Sequence, residues 1–321
     1  CPHPWAFQLD DERDVLYLAM SNDETDGHWL DLPYQWKRRP QAAGPDLPDD
    51  PRALLDAIIA SPDDDEPRLV YADWLATRDE ARAEFIVLQC ELARMEGTDL
   101  SHLDPIRQGQ AAAHVTKLEE RASILLKRNK KRWVAPLRAG ALESGSGRKM
   151  SYPTKWVFRR GFVDEIVMNM DDFSLAGAQL FALEPVRSLR LTAVTGATSF
   201  MDCEGLERLR ELDLSAQRLN RKLVAALASK PLTALRVLNI AACGLEPMSM
   251  KALTKADWPA LRTLNLSVNP LRDNGAEHLA SWPTACGLET LSIQFCEILG
   301  PVGEAALTRL REHGVHVDRG A

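Results

Sequence analysis

Residues 209–214 read LRELDL and form the first of four closely related segments that alternate apolar and polar residues. The other three begin at Leu235, Leu261 and Leu288, and the second apolar position recurs at intervals of 26, 26 and 27 residues. Alternation places the apolar side chains on one face of a short strand, and a single strand cannot bury that face alone. The spacing therefore predicts strands that stack side by side and share one core.

The same alternation extends beyond these four segments in weaker form. It is found at residues 163–168 and 186–191 on one side and at 315–317 on the other. A repeat of this length built on L-x-x-L-x-L resembles the leucine-rich repeat, in particular the ribonuclease-inhibitor type, with slightly shorter repeats. The resemblance implies an α/β fold, with a short leucine-rich-repeat solenoid of about seven parallel strands and helices on its convex side.

Residues 49–142 have the apolar spacing of helices. Within them, residues 62–75 (PDDDEPRLVYADWL) and 82–89 (RAEFIVLQ) resemble the bacterial repeat-companion domain, a small helical module found ahead of leucine-rich and other repeats. The resemblance implies an all-α helical domain preceding the solenoid and a role in interaction. It supplies no catalytic residues.

These patterns divide the chain into four predicted regions. They are an aromatic and acidic N-terminal arm at 1–48, the helical repeat-companion domain at 49–142, a basic joint at 143–160 and the leucine-rich-repeat domain at 161–321. The arm departs from the family pattern, so its role is not inherited from the resemblance.

Composition is that of a soluble globular protein, with 45% hydrophobic and 26% charged residues. No apolar run is long enough to span a membrane, and no secretory signal is visible. The six cysteines form no CxxC pair, so we expect small buried side chains in a reducing, cytoplasmic compartment and no metal site. The histidines are scattered, and no phosphate-binding glycine loop or catalytic constellation occurs. The sequence therefore predicts neither an enzyme nor a cofactor.

Charge is unevenly distributed along the chain. Residues 127–160 carry eleven Lys and Arg against one Glu, although the net charge of the whole chain is −7. Three interpretations remain open: a favourable helix end followed by a solvated loop, a docking site for the acidic arm, or a surface for an anionic partner. The sequence argues against nucleic acid as the partner, because the net charge is negative and no nucleic-acid motif is present. The candidate residues of this basic cluster are Lys127, Arg128, Lys130, Lys131 and Arg132.

The polar residues between the inward leucines are expected on the concave face of the solenoid. They are small and polar, without the aromatic anchors of tight interfaces, so this face is either a modest polar receptor or simply solvated. The candidate binding residues are Glu165, Arg190, Glu211, Asp213, Asn239, Asn265, Ser292 and Gln294.

One arginine precedes each of four predicted strands, at positions 187, 210, 236 and 262. We expect Arg187, Arg210, Arg236 and Arg262 to form a row along one edge of the sheet. The simpler expectation is that their stems cover apolar surface and their charged heads reach water, with Glu211 and Asp213 offsetting two of them. The alternative is that an acidic peptide offsets the rest.

The sequence thus favours a non-enzymatic module that binds a protein or peptide partner through the repeat surface or through the N-terminal arm. A second hypothesis is a substrate or regulated component of a protease or modification pathway, with the arm as the processed segment. Its cleavage tip would be the acidic turn at Asp26.

Overall fold

The structure, a computed structural model, describes residues 5–10, 15–20, 50–96, 98–99, 101, 104–137, 155–194, 199–298 and 300–320. The chain divides into two compact units, residues 1–49 and 50–321. In the first unit, strands β1 (Trp5–Asp10) and β2 (Val15–Met20) pair antiparallel, with Trp5 opposite Met20.

The second unit begins with four helices: α1 (Pro51–Ala60), α2 (Glu66–Leu75), α3 (Glu80–Glu96) and α4 (Pro105–Trp133). Two of them start with an aspartate followed by proline. Asp50 accepts a hydrogen bond from Arg52 N, and Asp104 accepts from the backbone of Ile106 and Arg107. Proline suits the first helical position because its missing N–H would be unpaired there anyway. The apolar faces meet in a core that includes Ile58, Ala72, Phe85, Ile86, Leu88, Leu118 and Leu125.

The rest of the second unit is organised on an eight-stranded sheet with the order β10-β9-β8-β7-β6-β5-β4-β3. Strands β4 to β10 are parallel, and β3 pairs antiparallel with β4. The strands are β3 (Lys155–Arg159), β4 (Phe162–Asn169), β5 (Ser188–Thr192), β6 (Glu211–Asp213), β7 (Val237–Asn239), β8 (Thr263–Asn265), β9 (Thr290–Ser292) and β10 (His316–Asp318). The predicted α/β class is therefore confirmed as a mixed fold with a mostly parallel sheet.

Helical segments connect successive parallel strands. They are α5 (Met170–Leu183), α6 (Arg221–Ala228), α7 (Pro247–Leu253), α8 (Arg272–Ala280) and α9 (Pro301–Glu312), with short 3-10 turns at Ser199–Asp202, Leu206–Arg208 and Pro283–Gly287. From α6 to α9 each helix packs against the next one along the chain. Among the described residues, no helix combines the length and apolar character needed to cross a membrane.

The leucines of the repeated pattern are the core of the sheet. Leu189, Leu212, Leu238, Leu264 and Leu291 occupy the same position in consecutive strands, and each is at most 2% exposed. Because parallel strands lie ~4.8 Å apart, these side chains form one continuous apolar layer. The sequence predicted this layer from spacing alone.

A buried polar position follows each of the strands β7, β8 and β9 and ties neighbouring repeats together. Asn269 is fully buried, and its amide bonds the backbone of the preceding repeat: Oδ1 accepts from Cys243 N and Leu245 N, and Nδ2 donates to Ile240 O. In the equivalent positions, Cys243 Sγ donates to Leu214 O and Cys296 Sγ to Leu266 O. These bonds satisfy backbone groups that would otherwise be buried without partners.

The cysteines described are all unpaired thiols. Cys90 lies in the helical core, and Cys243 and Cys296 lie at the buried position after the strands. Burial is the main cause that raises the pKa of each of these three thiols, to about 11 for Cys243. Cys203 and Cys286 are partly exposed.

Strand β3 was not anticipated, since the sequence assigned residues 143–160 to a joint. Residues 143–154 lie outside the described residues. Arg160 and Gly161 connect β3 to β4 with φ of 49° and 83°, as a two-residue hairpin turn requires. Because Arg is an uncommon residue in such a turn, the hairpin signal was missed.

Gly161 also allows the hairpin to approach helix α3. A Cβ atom at this position would lie 2.7 Å from Ile86 Cα, and Gly161 N donates to Gln89 Oε1. We expect Gly161→Ala to lower the free energy of unfolding by about 2–3 kcal/mol, because it adds a backbone clash to the strain of positive φ. Urea unfolding measures this change.

Gly244→Ala is the matched control. Gly244 also has a positive φ, of 67°, but a Cβ atom there would meet nothing within 4 Å. It should therefore lower the free energy of unfolding by only about 1 kcal/mol. Equal losses in the two variants would show that the contact with α3 contributes nothing.

Candidate functional site

Two rows of side chains cross the sheet in register between the buried leucines. The amino row consists of Glu165, Ser188, Glu211, Val237, Thr263 and Thr290, and the central row of Val167, Arg190, Asp213, Asn239, Asn265 and Ser292. Their members are partly or fully exposed, whereas the leucines between the rows are buried. The side chains of each row therefore share one face of the sheet, about 4.8 Å from strand to strand.

The charged half of this face, on β4 to β6, pairs its charges internally. Arg190 Nε lies 3.5 Å from Asp213 Oδ2, and Lys155 Nζ lies 2.7 Å from Glu165 Oε1. Ser188 Oγ donates to Glu211 Oε2 at 3.1 Å. These contacts are exposed, so they contribute little to stability. The two ion pairs are neutral, and Glu211 leaves one negative charge on this half of the face.

The neutral half, on β7 to β9, presents fixed amide groups. Asn239 Oδ1 accepts from Ala241 N at 3.2 Å, and Asn265 Oδ1 accepts from Ser267 N at 3.0 Å. These bonds determine which side of each amide faces the backbone. Both Nδ2 groups have no hydrogen-bond partner among the described residues, so they are donors available to a ligand. Gln294, by contrast, donates to Asp318 Oδ2 and is occupied.

The four predicted edge arginines lie at the amino ends of β5 to β8, and we call them the edge row. The backbone N–H of Arg210, Arg236 and Arg262 donates to the carbonyl of the preceding member at 2.8, 2.7 and 2.8 Å respectively. The four residues are therefore evenly spaced along the stack.

Two members of the edge row bind Asp63, which lies in the turn between α1 and α2. Arg187 Nη1 donates to Asp63 Oδ1 at 2.5 Å, and Arg210 donates through both terminal nitrogens, Nη1 at 3.1 Å. The Arg210 hydrogen bond is the largest cause that lowers the pKa of Asp63 to about 2, opposed by partial burial. This differs from the expectation that the charged heads reach water and that Glu211 and Asp213 offset them. The helical turn supplies a carboxylate to Arg187 and Arg210, and Asp164 of β4 also binds Arg187, at 2.5 Å from its Nε.

The other aspartates of the same turn also have defined contacts. Asp65 Oδ1 lies 2.8 Å from Arg160 Nη1, which also donates to Asp63 O, and Asp64 Oδ1 accepts from Glu66 N. The acidic triplet therefore joins the α1–α2 turn to the β3–β4 turn and to the sheet edge. No group of three potential metal ligands occurs among the residues that the structure describes.

The Asp63 contacts predict a pH dependence. The pKa of Asp63 is lower in the folded state than its usual value of 3.8, so its ionised form stabilises the fold above about pH 4. That contribution is lost as the pH falls toward 2. We expect Asp63→Asn to lower the free energy of unfolding by about 1 kcal/mol at pH 6, a value discounted because the side chain is 58% exposed. Urea midpoints at several pH values test this: the difference from wild type should shrink below pH 4, and a constant difference would contradict it.

A buried ion pair connects α3 to the segment before β5. Arg82 Nη2 lies 3.7 Å from Glu184 Oε1, and Glu184 Oε2 accepts from Val163 N at 2.6 Å. The Arg82 guanidinium also lies over the rings of Trp133, Phe158 and Phe162, at 4.8, 5.4 and 5.3 Å from their centroids. Its Nη1 has no hydrogen-bond partner in the described chain. The ring faces provide a partial substitute through cation–π attraction.

Burial dominates the ionisation of this pair. It raises the pKa of Glu184 to about 7, although Arg82 and the Val163 N–H both favour the carboxylate, and it lowers the pKa of Arg82. A cavity of about 250 Å³ lies beside the pair. Its other charged lining residues, Asp79 and Arg132, pair with each other at 2.7 Å. Because the charged residues that line the cavity pair with each other, the cavity resembles a contact between structural elements more than a ligand site.

The predicted basic cluster lies on the last two turns of α4. Lys130 Nζ donates to Trp156 O at 3.4 Å, and Arg132 binds Asp79. Positive charge here complements the partial negative charge of the helix end. Lys127, Arg128 and Lys131 are exposed. The predicted cleavage tip at Asp26 lies outside the described residues, so docking or processing of the arm stays a prediction.

The contribution of Asp63 and Arg82 was missed by sequence reasoning. Both lie within the segments that resemble the repeat-companion domain, residues 62–75 and 82–89. That resemblance was the only feature of the sequence that pointed to them. Comparison with known proteins adds no assignment: neither a scan against family models nor a search of the curated proteins found a match to this chain.

Proposed function

We propose that the strands and helices from β4 onward form a short leucine-rich-repeat solenoid, preceded by an all-α repeat-companion domain. We propose further that the protein is a non-enzymatic recognition module in the cytoplasm, which binds a protein or peptide across the amino and central rows. The sequence resemblances support the architecture, and the free thiols fit a reducing compartment.

The observation that carries the proposal is the pair of outward amide donors at Asn239 and Asn265. Each Oδ1 is held by a backbone N–H, so each Nδ2 is oriented before a partner arrives. A preorganised donor loses little conformational entropy on binding, which favours recognition of acceptor groups such as peptide carbonyls. Neighbouring Thr263, Thr290 and Ser292 add small polar groups that permit close approach.

Site-specific photo-crosslinking in native cells tests the proposal. A photoreactive amino acid is placed at Val237 or Thr263, the partly exposed amino-row neighbours of Asn239 and Asn265, and as a control at Lys222, an exposed position on helix α6. We expect the same polypeptide to be captured from both row positions and not from Lys222. Capture of nucleic acid alone, of no macromolecule, or of the same proteins from Lys222 would contradict the proposal.

An isosteric change sharpens this test. Asn239→Asp and Asn265→Asp keep the acceptor that holds the turn but replace the outward donor by a carboxylate oxygen. We expect each to weaken capture about tenfold, because a partner carbonyl then faces an acceptor. Lys222→Glu also lowers the net charge of the chain, and it should leave capture unchanged.

A further inference from the structure

We infer that the edge row is a binding site for carboxylate side chains, and that the partner inserts an acidic peptide segment at Arg236 and Arg262. This inference rests on the proposed function and specifies the chemistry of the partner. Asp63 fills the first half of the row from within the chain, and the second half offers the same arrangement at the surface.

Asp63 shows how the row holds a carboxylate. One oxygen accepts from Arg187 Nη1 and Arg210 Nη1, and the other accepts from Arg210 Nη2. Two arginines on adjacent strands thus share one carboxylate, and the bidentate contact gives direction as well as charge. The side chains of Arg187 and Arg210 are correspondingly only 14% and 29% exposed.

The next pair repeats this backbone arrangement. The N–H to carbonyl distance from Arg262 to Arg236 is the same as that from Arg210 to Arg187, 2.8 Å. Arg236 is exposed, and its side chain has no partner among the described residues. Arg262 has a long contact of 3.8 Å to Glu289 and otherwise donates to the carbonyls of Pro259 and Leu261. Both guanidinium groups are therefore open to a stronger acceptor.

The surrounding charges favour separate carboxylates over a continuous polyanion. Glu211 lies beside Arg210 in the amino row, and Glu289 follows Arg262 along the edge. A nucleic-acid backbone crossing this region would meet an acid at both ends of the Arg236–Arg262 pair, and the net charge of −7 would oppose it further. A peptide can place one acid at Arg236 and Arg262 and neutral residues elsewhere, across the Thr263 and Asn265 region.

Fluorescence anisotropy with the full chain tests the site. The probe is a fluorescein-labelled peptide of roughly a dozen residues that alternates Glu and Gly, with a Gln–Gly peptide of equal length as its neutral counterpart. We expect measurable binding of the Glu peptide only. Arg236→Ala combined with Arg262→Ala should weaken it about tenfold.

Arg218→Ala combined with Arg221→Ala is the matched control, because it removes the same charge from two exposed arginines without partners in the described chain. It should change the affinity less than about twofold. Equal weakening by the two double variants would overturn the inference, since only general charge attraction would remain. Tighter binding of a labelled single-stranded oligonucleotide than of the Glu peptide would also overturn it.

Asp63→Ala provides a test in the opposite direction. It frees Arg210 and the Nη1 of Arg187, whose Nε stays bound to Asp164 Oδ1 at 2.5 Å. The Glu peptide should therefore bind about threefold or more tightly, chiefly through Arg210. If the edge row only holds the α1–α2 turn in place, the affinity for the Glu peptide should not increase. Unchanged or weaker binding by a folded Asp63→Ala variant would contradict the shared use of the row.

The inference and the proposed function fail in different ways. Capture from Val237 that persists undiminished in the Arg236→Ala and Arg262→Ala variant would remove the edge site and leave the recognition face. Specific Glu-peptide binding without capture from Val237 or Thr263 would keep the edge site and remove the proposed face.

Discussion

Replacing Arg82 with Met is expected to lower the free energy of unfolding by about 3–5 kcal/mol. Methionine retains much of the apolar stem but removes the charge that faces Glu184, which is itself buried and 3.7 Å away. The cation–π contacts with Trp133, Phe158 and Phe162 are lost at the same time. Urea unfolding at neutral pH gives the magnitude.

The free energy of unfolding that Arg82→Met loses relative to wild type should grow between about pH 6 and pH 8. Folding already raises the pKa of Glu184 to about 7, and removing Arg82 raises it further. A raised pKa means that stability is greatest when the carboxyl is protonated and falls as the pH rises through the folded value. The variant therefore continues to lose stability at a pH where the wild-type curve has become flat.

Two variants make this prediction specific. Adding Glu184→Gln to Arg82→Met should recover at least about half of the loss, because the unpaired buried acid is removed. Arg94→Met on the same helix changes a more exposed pair with Glu91 and should cost less than about 1 kcal/mol. A loss for Arg82→Met as small as that for Arg94→Met would show that the buried pair does not join α3 to the sheet.

Replacing Asn269 with Ala is expected to lower the free energy of unfolding by about 4 kcal/mol. Asn269 is fully buried, and its removal leaves the N–H groups of Cys243 and Leu245 and the carbonyls of Ile240 and Leu266 without their amide partner. Each unpaired buried group costs roughly 1–3 kcal/mol, reduced by relaxation and by entry of water.

Cys296→Ala is the control for this position. Cys296 occupies the same place in the next repeat, but its thiol donates chiefly one weak hydrogen bond, to Leu266 O at 3.2 Å. We expect a loss of about 1–2 kcal/mol. Amide hydrogen exchange at Cys243 and Leu245 should accelerate in Asn269→Ala beyond the change in global stability. Equal losses in the two variants, with no local acceleration, would contradict the role assigned to the amide.

The sequence was sufficient to predict which side chains share a face wherever apolar and polar residues alternate within a strand. The inward leucines and the two surface rows follow from strict alternation within each segment, because a shift by one residue would bury the polar side chains. Strand β3 was not predicted from the sequence because its turn, Arg160-Gly161, lacks the usual Asn-Gly signature.

Contacts between distant residues could not be read from a local period. Asp63 and Arg210 are 147 positions apart, and their pairing depends on how the α1–α2 turn meets the sheet edge. The same holds for Arg82 and Glu184, which sequence patterning alone would place at the surface as ordinary charged residues. Their roles emerged only from the packing of helices against the hairpin and the first parallel strands.

The three buried thiols make the chain suitable for alkylation experiments without engineered probes. Iodoacetamide reacts with thiolate, so Cys90, Cys243 and Cys296 should be modified only when their surroundings open, while the partly exposed Cys286 reports the background rate. Burial raises the pKa of Cys203 to about 11, so Cys203 does not serve as a reference. The labelling rate of Cys90 then reports the opening of the helical core, and those of Cys243 and Cys296 report the opening of two repeats that are separated by the repeat of Asn269. Mass spectrometry of a single labelling time course can thus establish whether the stack frays from its end or opens as one body.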